Sequence, residues 1–258
     1  MSFFQSFVES LLFTPDRRNY WRPDHFGLES ESFEIPTAGD GKLAATWLPA
    51  RGKALGTVLH LHEGSANHAN HFAQVAWLPV AGYNTLMFDY RGFGRSPGSP
   101  SLVGMAEDAA AALVAVRKRK GVDPDRIVIF GQGVGGALAP DLVLAHPEGV
   151  RLVVMESAWA SHRGLMIDRY GPGIGHVAAS QMPTQDRDPA TALARLEVPL
   201  VLVQPERDAG VPAKQATALV AAAPAQREVW RVPKTRHLHV FAYPSVWRER
   251  LLEKLSQA

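Results

Sequence analysis

The sequence predicts an α/β domain built on a mostly parallel central sheet with helices on both faces. Three observations carry that expectation. Apolar or period-two runs of strand length alternate with helical patterns along the chain. The length of 258 residues, with 46% hydrophobic content and no low-complexity tract, suits one domain with a large buried core spanning residues 1–258. A glycine-dense junction, IVIFGQGVGGALA from Ile127 to Ala139, joins an apolar run to a small-residue helix start.

Taken in order, the opening MSFFQSFVESLLFTP sets Phe3, Phe4, Phe7, Val8, Leu11 and Leu12 at helical spacing, with Gln5, Ser6, Glu9 and Ser10 opposite. Residues 1–15 thus form an amphipathic segment that docks on its own domain on the simplest reading; a peripheral membrane contact or a partner chain is the alternative. Strands are expected at Leu43–Leu48, Thr57–His62, Asn84–Tyr90, Ile127–Phe130, Leu152–Met155, Leu200–Gln204 and Glu228–Val232. Helices are expected at Asn70–Ala81, Val103–Arg119, Val134–Ala145, Ala213–Ala222 and Ser245–Leu255. The stretch from Trp159 to Asp188, rich in Gly, Pro, His and Met, breaks the rhythm and reads as a small cap inserted at residues 159–188.

Composition narrows the function classes. The net charge of +2 and the scattered basic residues point away from nucleic acid, and Arg117 to Lys120 suit a helix C-terminus. With no cysteine, disulfides, thiol catalysis and cysteine metal sites are excluded. No apolar run reaches the ~20 residues of a membrane span. The opening also lacks a basic leader with a cleavage site, so a cytoplasmic location is the expectation.

The stretches VLHLHEGSANHANHFAQVAWLPVAGYNTLMFDYRGFGRSPGSPS, GVDPDRIVIFGQGVGGALA, ESAW, VPLVLVQPERDAGVPAKQA and TRHLHVFAYP together resemble, in order and spacing, the α/β-hydrolase superfamily. The resemblance covers the chain from about Phe13 onward and is strongest to the serine aminopeptidase-like branch. It implies the α/β-hydrolase fold and a Ser, Asp, His triad in that chain order, with Asp208 as the acid and His237 as the base. The nucleophile position maps to Gly133, which has no side chain to attack with. The resemblance also implies an oxyanion loop of His62, Glu63 and Gly64, where Glu63 replaces a glycine and brings negative charge to where an oxyanion develops. The second oxyanion donor, the Val134 N–H, needs no particular side chain. Glu63 is expected to face the pocket or to pair with Arg236 or a protonated histidine, and a serine at 133 is expected to fit sterically.

Gln132 fills the variable position of the turn, and Trp159 and Tyr90 read as pocket wall or core. Ser65, Ser157 and Ser161 are serines near the expected pocket, but none occupies the turn. His60, His62, His68, His71 and His239 are numerous, yet their spacing matches no recognised metal signature, so no metal or cofactor is expected. The leading functional expectation is a non-catalytic protein that uses the old pocket to bind a small acyl, ester or peptide-like ligand, or a protein partner. The alternative is a hydrolase of ester, amide or thioester bonds working through His237 and Asp208 by a non-standard mechanism.

Overall fold

The computed structural model describes Val8 and residues 11–38 and 41–258, with the backbone alone at residue 186. Eight strands form one sheet: β1 Glu31–Pro36, β2 Lys42–Leu48, β3 Gly56–Leu61, β4 Tyr83–Phe88, β5 Ile127–Gln132, β6 Val150–Glu156, β7 Leu200–Arg207 and β8 Arg227–Arg236. Their order is β1-β2-β4-β3-β5-β6-β7-β8. β2 runs antiparallel to β1 and β4, and every other pairing is parallel.

Central strands of a parallel sheet are covered on both faces, so they read as continuous apolar runs rather than alternating ones. The period of two still decides which side each residue serves. Leu59, Ile129, Val153 and Leu202 pack beneath α1 (Leu102–Lys118) and α2 (Val134–Ala145). Val58, Val128, Val154 and Val203 pack on the other face, with Phe72 and with Leu251 and Leu255 of the final helix, Val246–Gln257. Ser101 starts α1 and Ser161 starts α3 (His162–Tyr170), each hydroxyl accepting the N–H three residues on.

Three local differences from the sequence expectation have physical causes. β1 was not foreseen, because it is an edge strand with Ile35 as its one fully buried residue and thus shows little periodicity. In place of a helix over Asn70–Ala81 there is a 3₁₀ segment, His68–Gln74, followed by turns to Gly82. The Asn67 side chain accepts the Asn70 N–H and tightens its first turn. Pro79 then lacks the N–H that a continuing helix needs. β8 runs on to Arg236 through an irregularity after Val232, carrying the chain to His237.

Between Trp159 and Asp188 the chain forms α3, a π-turn at Gly171–Gly175, a helical turn at His176–Ala179 and a 3₁₀ turn at Gln185–Arg187. Leu165, Met166, Ala178 and Met182 from this stretch join the core under α1 and α2. Val8, Leu12 and Phe13 of the N-terminal segment join the same core, and Tyr170 Oη donates to the Leu11 carbonyl at 2.6 Å. Phe3, Phe4, Gln5, Ser6, Phe7, Glu9 and Ser10, on which the amphipathic reading also rested, lie outside the described residues. Among the described residues no helix is long and apolar enough to cross a membrane.

Candidate functional site

Gly133 is the hinge between β5 and α2, with φ 53° and ψ −114°, a region that L side chains rarely occupy. Its N–H donates to the Glu156 carbonyl at 2.9 Å and its carbonyl starts α2 by accepting the Ala137 N–H at 3.0 Å. The turn is tight because α2 rests almost directly on β3: a Cβ on Gly135 would lie 2.0 Å from the Leu61 carbonyl oxygen.

The space above Gly133 is filled from a different loop. An ideal Cβ at residue 133 would lie 1.1 Å from Glu63 Oε2 and 2.3 Å from the Glu63 carboxyl carbon. Two side chains cannot share that volume. A serine at 133 therefore fits only once the Glu63 carboxylate, the far end of a flexible side chain, swings away, and it must take the positive φ of the turn. Glu63 Oε2 accepts the Val134 N–H at 3.3 Å, at the start of α2 where the helix dipole favours negative charge. It lies 3.8 Å from His237 Nε2, so its cation is His237 rather than Arg236.

His237 and Asp208 meet from the ends of two adjacent strands, His237 Nδ1 donating to Asp208 Oδ1 at 2.7 Å. Asp208 Oδ1 also accepts the Gly210 and Val211 N–H groups at 2.8 and 2.9 Å, which fixes the carboxylate. Burial works against a charge on His237, but the bond to Asp208 and the charge of Glu63 at 3.8 Å outweigh it and raise the imidazole to about 10. At neutral pH the ring is an imidazolium between two carboxylates. It holds the proton that a general base must be free to accept.

The remaining predicted residues divide by role. Val134 supplies its N–H to Glu63. His62, Gln132 and Trp159 are buried, Gln132 under the turn and Trp159 in the core. His62 is stacked on His71 at 5.7 Å and meets Tyr90 at 4.6 Å, its Nδ1 donating to the Glu63 carbonyl at 2.6 Å. Burial holds it neutral, far below the usual histidine range. It shapes the loop that aims Glu63. Gly64 is buried against the N-terminal segment, where a Cβ would come 3.0 Å from the Leu12 carbonyl, and its own carbonyl accepts the Thr14 N–H. Trp159 Nε1 donates to His162 within the core.

None of Ser65, Ser157 and Ser161 occupies the turn, although Ser157 follows Glu156, whose carbonyl accepts the Gly133 N–H. Ser161 caps α3, Ser157 bonds the Asp208 carboxylate and accepts weakly from the Leu238 N–H at 3.5 Å, and Ser65 gives its carbonyl to His71. His68 pairs with Asp89 at 2.8 Å, and His239 Nδ1 bonds the His237 carbonyl. Among the described residues no three His, Asp or Glu side chains are grouped to hold a metal ion.

A buried network beneath the turn carries no local sequence signal. Gln132 bridges His60 Nε2, at 2.8 Å, and Glu156 Oε2, at 2.5 Å, while Glu156 Oε1 accepts the Val240 N–H at 3.1 Å. Glu156 thereby ties the floor of the turn to the loop that carries His237. Burial pushes Glu156 up to about 7, against the bonds from Gln132 and Val240, and burial lowers His60 to about 3.

Two cavities lie near these loops: the smaller touches Asp208, and the larger is lined by none of Glu63, Gly133, Asp208 and His237. One of about 510 Å³ is lined by Leu12, Phe13, Leu102, Met182 and Arg187 among others. Phe13 links it to the oxyanion loop, since a Cβ on Gly64 would lie 3.1 Å from the Phe13 ring and 3.5 Å from Val134 Cγ1. The other, of about 250 Å³, lies against Asp208, Ser157 and Arg231.

Comparison with known proteins agrees with this architecture. Residues 52–184 match the family described as serine aminopeptidase, S33. The chain is 31% identical over 258 residues to the protein YfhR of Escherichia coli (strain K12), covering 96% of this chain and 87% of that protein. It is 25% identical over 230 residues to protein bem46 of Schizosaccharomyces pombe, covering 86% and 75%. The esterase Pf2001 of Pyrococcus furiosus superposes with a TM-score of 0.77 at 21% identity, covering 95% of this chain and 97% of that one. With its sheet order and its turn at Gly133, the chain belongs to the serine aminopeptidase family of α/β-hydrolases.

Proposed function

We propose that this hydrolase-family chain does not cleave esters or amides through a seryl intermediate and uses its site to bind a small acyl, ester or peptide-like ligand. The observation that carries the reading is the Glu63 carboxylate, whose Oε2 stands 1.1 Å from where a residue-133 Cβ would be. Loss of a triad serine costs on the order of a millionfold in turnover. Here the vacancy left by glycine is also filled, the Val134 oxyanion donor is occupied, and the base is protonated. Those three features work against acyl transfer together. The 510 Å³ cavity, mostly apolar with Arg187 in its wall, suits a ligand with an apolar body and one polar end.

The test is a fluorophosphonate probe and a panel of activated esters applied to the purified chain, with His237→Ala as control. The reading expects neither labelling nor turnover above that control. Labelling, or turnover that the control abolishes, overturns it.

A further inference from the structure

Burial sorts the walls of the larger cavity into two kinds. Leu12, Phe13, Leu102 and Met182 are 8% exposed or less, whereas Arg187 lies open to solvent. The apolar walls therefore form the interior, and the guanidinium stands at the mouth. We propose that this cavity takes a medium-chain aliphatic carboxylate, with its alkyl chain inward and its carboxylate on Arg187. That ligand deepens the binding reading, on which it rests: the molecule held is a free acid rather than an ester or a peptide.

Charge and shape together select that chemistry. Of the described residues that line the cavity, Arg187 alone is charged, so no acid in the wall competes for it. Its planar fork of N–H donors matches the two oxygens of a carboxylate, while an ester offers it only a neutral carbonyl. The buried walls offer an incoming body few hydrogen-bond partners, which excludes a polar chain from the interior. They also favour aliphatic over aromatic bodies. Phe13 is the one aromatic side chain among the described lining residues, and it already meets Phe93 edge-on with ring centroids 6.3 Å apart. Met182, with its unbranched thioether, adapts to a flexible chain. A volume of about 510 Å³ sits within the ~300–1,000 Å³ of small-molecule pockets.

The walls are also fixed from outside the cavity. On the N-terminal side, the Thr14 N–H donates to the Gly64 carbonyl at 2.8 Å and Tyr170 Oη holds the Leu11 carbonyl. On the other side Arg187 closes a 3₁₀ turn, its N–H on the Thr184 carbonyl at 2.9 Å. The next residue, Asp188, is buried and accepts the His162 N–H at 2.8 Å, which anchors the turn that carries the guanidinium. A cavity that keeps its shape without a ligand loses little further entropy on filling.

The experiment measures hexanoate, octanoate, decanoate and 1-octanol binding to the full chain by calorimetry, and locates the ligand by the Met182 methyl resonance, assigned with Met182→Leu. The expected result is saturable binding whose affinity rises about fourfold per added methylene, the worth of one buried CH₂. The Met182 methyl should shift along the same saturation curve. Octanoate should bind on the order of tenfold more tightly than 1-octanol, the scale of a hydrogen-bonded charge, and Arg187→Gln should erase that preference while leaving 1-octanol unchanged. Val103→Trp, at a wall position that is 49% exposed, should fill the cavity and abolish octanoate binding. Should that variant fail to fold, the Met182 shift alone locates the ligand. Absence of saturable decanoate binding overturns the proposal, as does a Met182 resonance that stays still while decanoate binds. Equal affinity for octanoate and 1-octanol, or octanoate binding by folded Val103→Trp as tight as in wild type, overturns it too. None of these failures touches the non-cleaving reading, which falls on ester turnover or probe labelling even with octanoate bound.

Discussion

Replacing Glu63 by glutamine removes one of the two carboxylates that keep His237 charged. Across the 3.8 Å between Glu63 Oε2 and His237 Nε2, Coulomb's law gives ~1 kcal/mol in water and ~4 kcal/mol at an effective dielectric of about 20. With the ring 27% and the carboxylate 14% exposed, the true value falls between these limits. In titration terms that is roughly one to three pH units. From a starting point of about 10, the His237 midpoint in Glu63→Gln should therefore drop by that amount, while Asp208 still holds it above the ordinary histidine range. The assay is the His237 ring Cε1–H resonance followed by NMR across an alkaline titration, in wild type and variant. A midpoint that moves by less than ~0.3 unit would show that Glu63 does not engage His237, and the reasoning about a plugged site would collapse with it.

Other perturbations test the scaffold around the site. Burial pushes Glu156 from the ordinary 4.5 up to about 7 in the fold; because a raised carboxyl binds its proton more tightly when folded, stability should fall on the order of 3 kcal/mol as pH rises from about 4.5 through about 7. Urea unfolding of wild type and Glu156→Gln across that range checks it, the variant lacking this branch. His237, raised above the ordinary 6.5 by its carboxylate partners, adds stability that is fully present below about 6.5 and lost as pH climbs toward about 10, so alkaline unfolding should ease further in wild type than in His237→Gln. Arg91→Ala strands Asp108, whose side chain is fully buried and accepts Arg91 Nη2 at 2.7 Å, and should cost about 3 kcal/mol in chemical denaturation. Gly135→Ala drives a Cβ to 2.0 Å from the Leu61 carbonyl and should cost about 3 kcal/mol, read as a lowered Tm.

Much of this architecture is visible in the chain because its signals are local. The apolar runs at Thr57–His62 and Ile127–Phe130, the glycines from Gly131 to Gly136, and the loops holding Asp208 and His237 each announce themselves within a dozen residues. β1 does not, since a single buried residue, Ile35, leaves no period to read. The 3₁₀ segment at His68–Gln74 hides behind helix-like apolar spacing, and a side-chain cap at Asn67 decides against the helix. The Glu156 network was illegible for a different reason. Its partners Gln132, His60 and Val240 meet only because β6 pairs in register with β5, Gln132 opposite Glu156, and because the chain after His237 returns over both. The same holds for Glu63. The sequence shows a charge in the wrong loop, and only the fold shows that its carboxylate stands in the place of a missing side chain.

That substitution in space is the central claim, and restoring the serine tests it most directly. Activated-ester turnover should be measured for Gly133→Ser and for Gly133→Ser combined with Glu63→Gly, each verified as folded. If Glu63 fills the residue-133 volume and the oxyanion donor, the single variant should stay near background, and the double variant should exceed it by roughly 10²–10³, the scale of one recovered oxyanion contribution. Equal turnover by the two variants, well above background, would mean that Glu63 neither blocks the serine nor opposes the oxyanion, and would contradict the account.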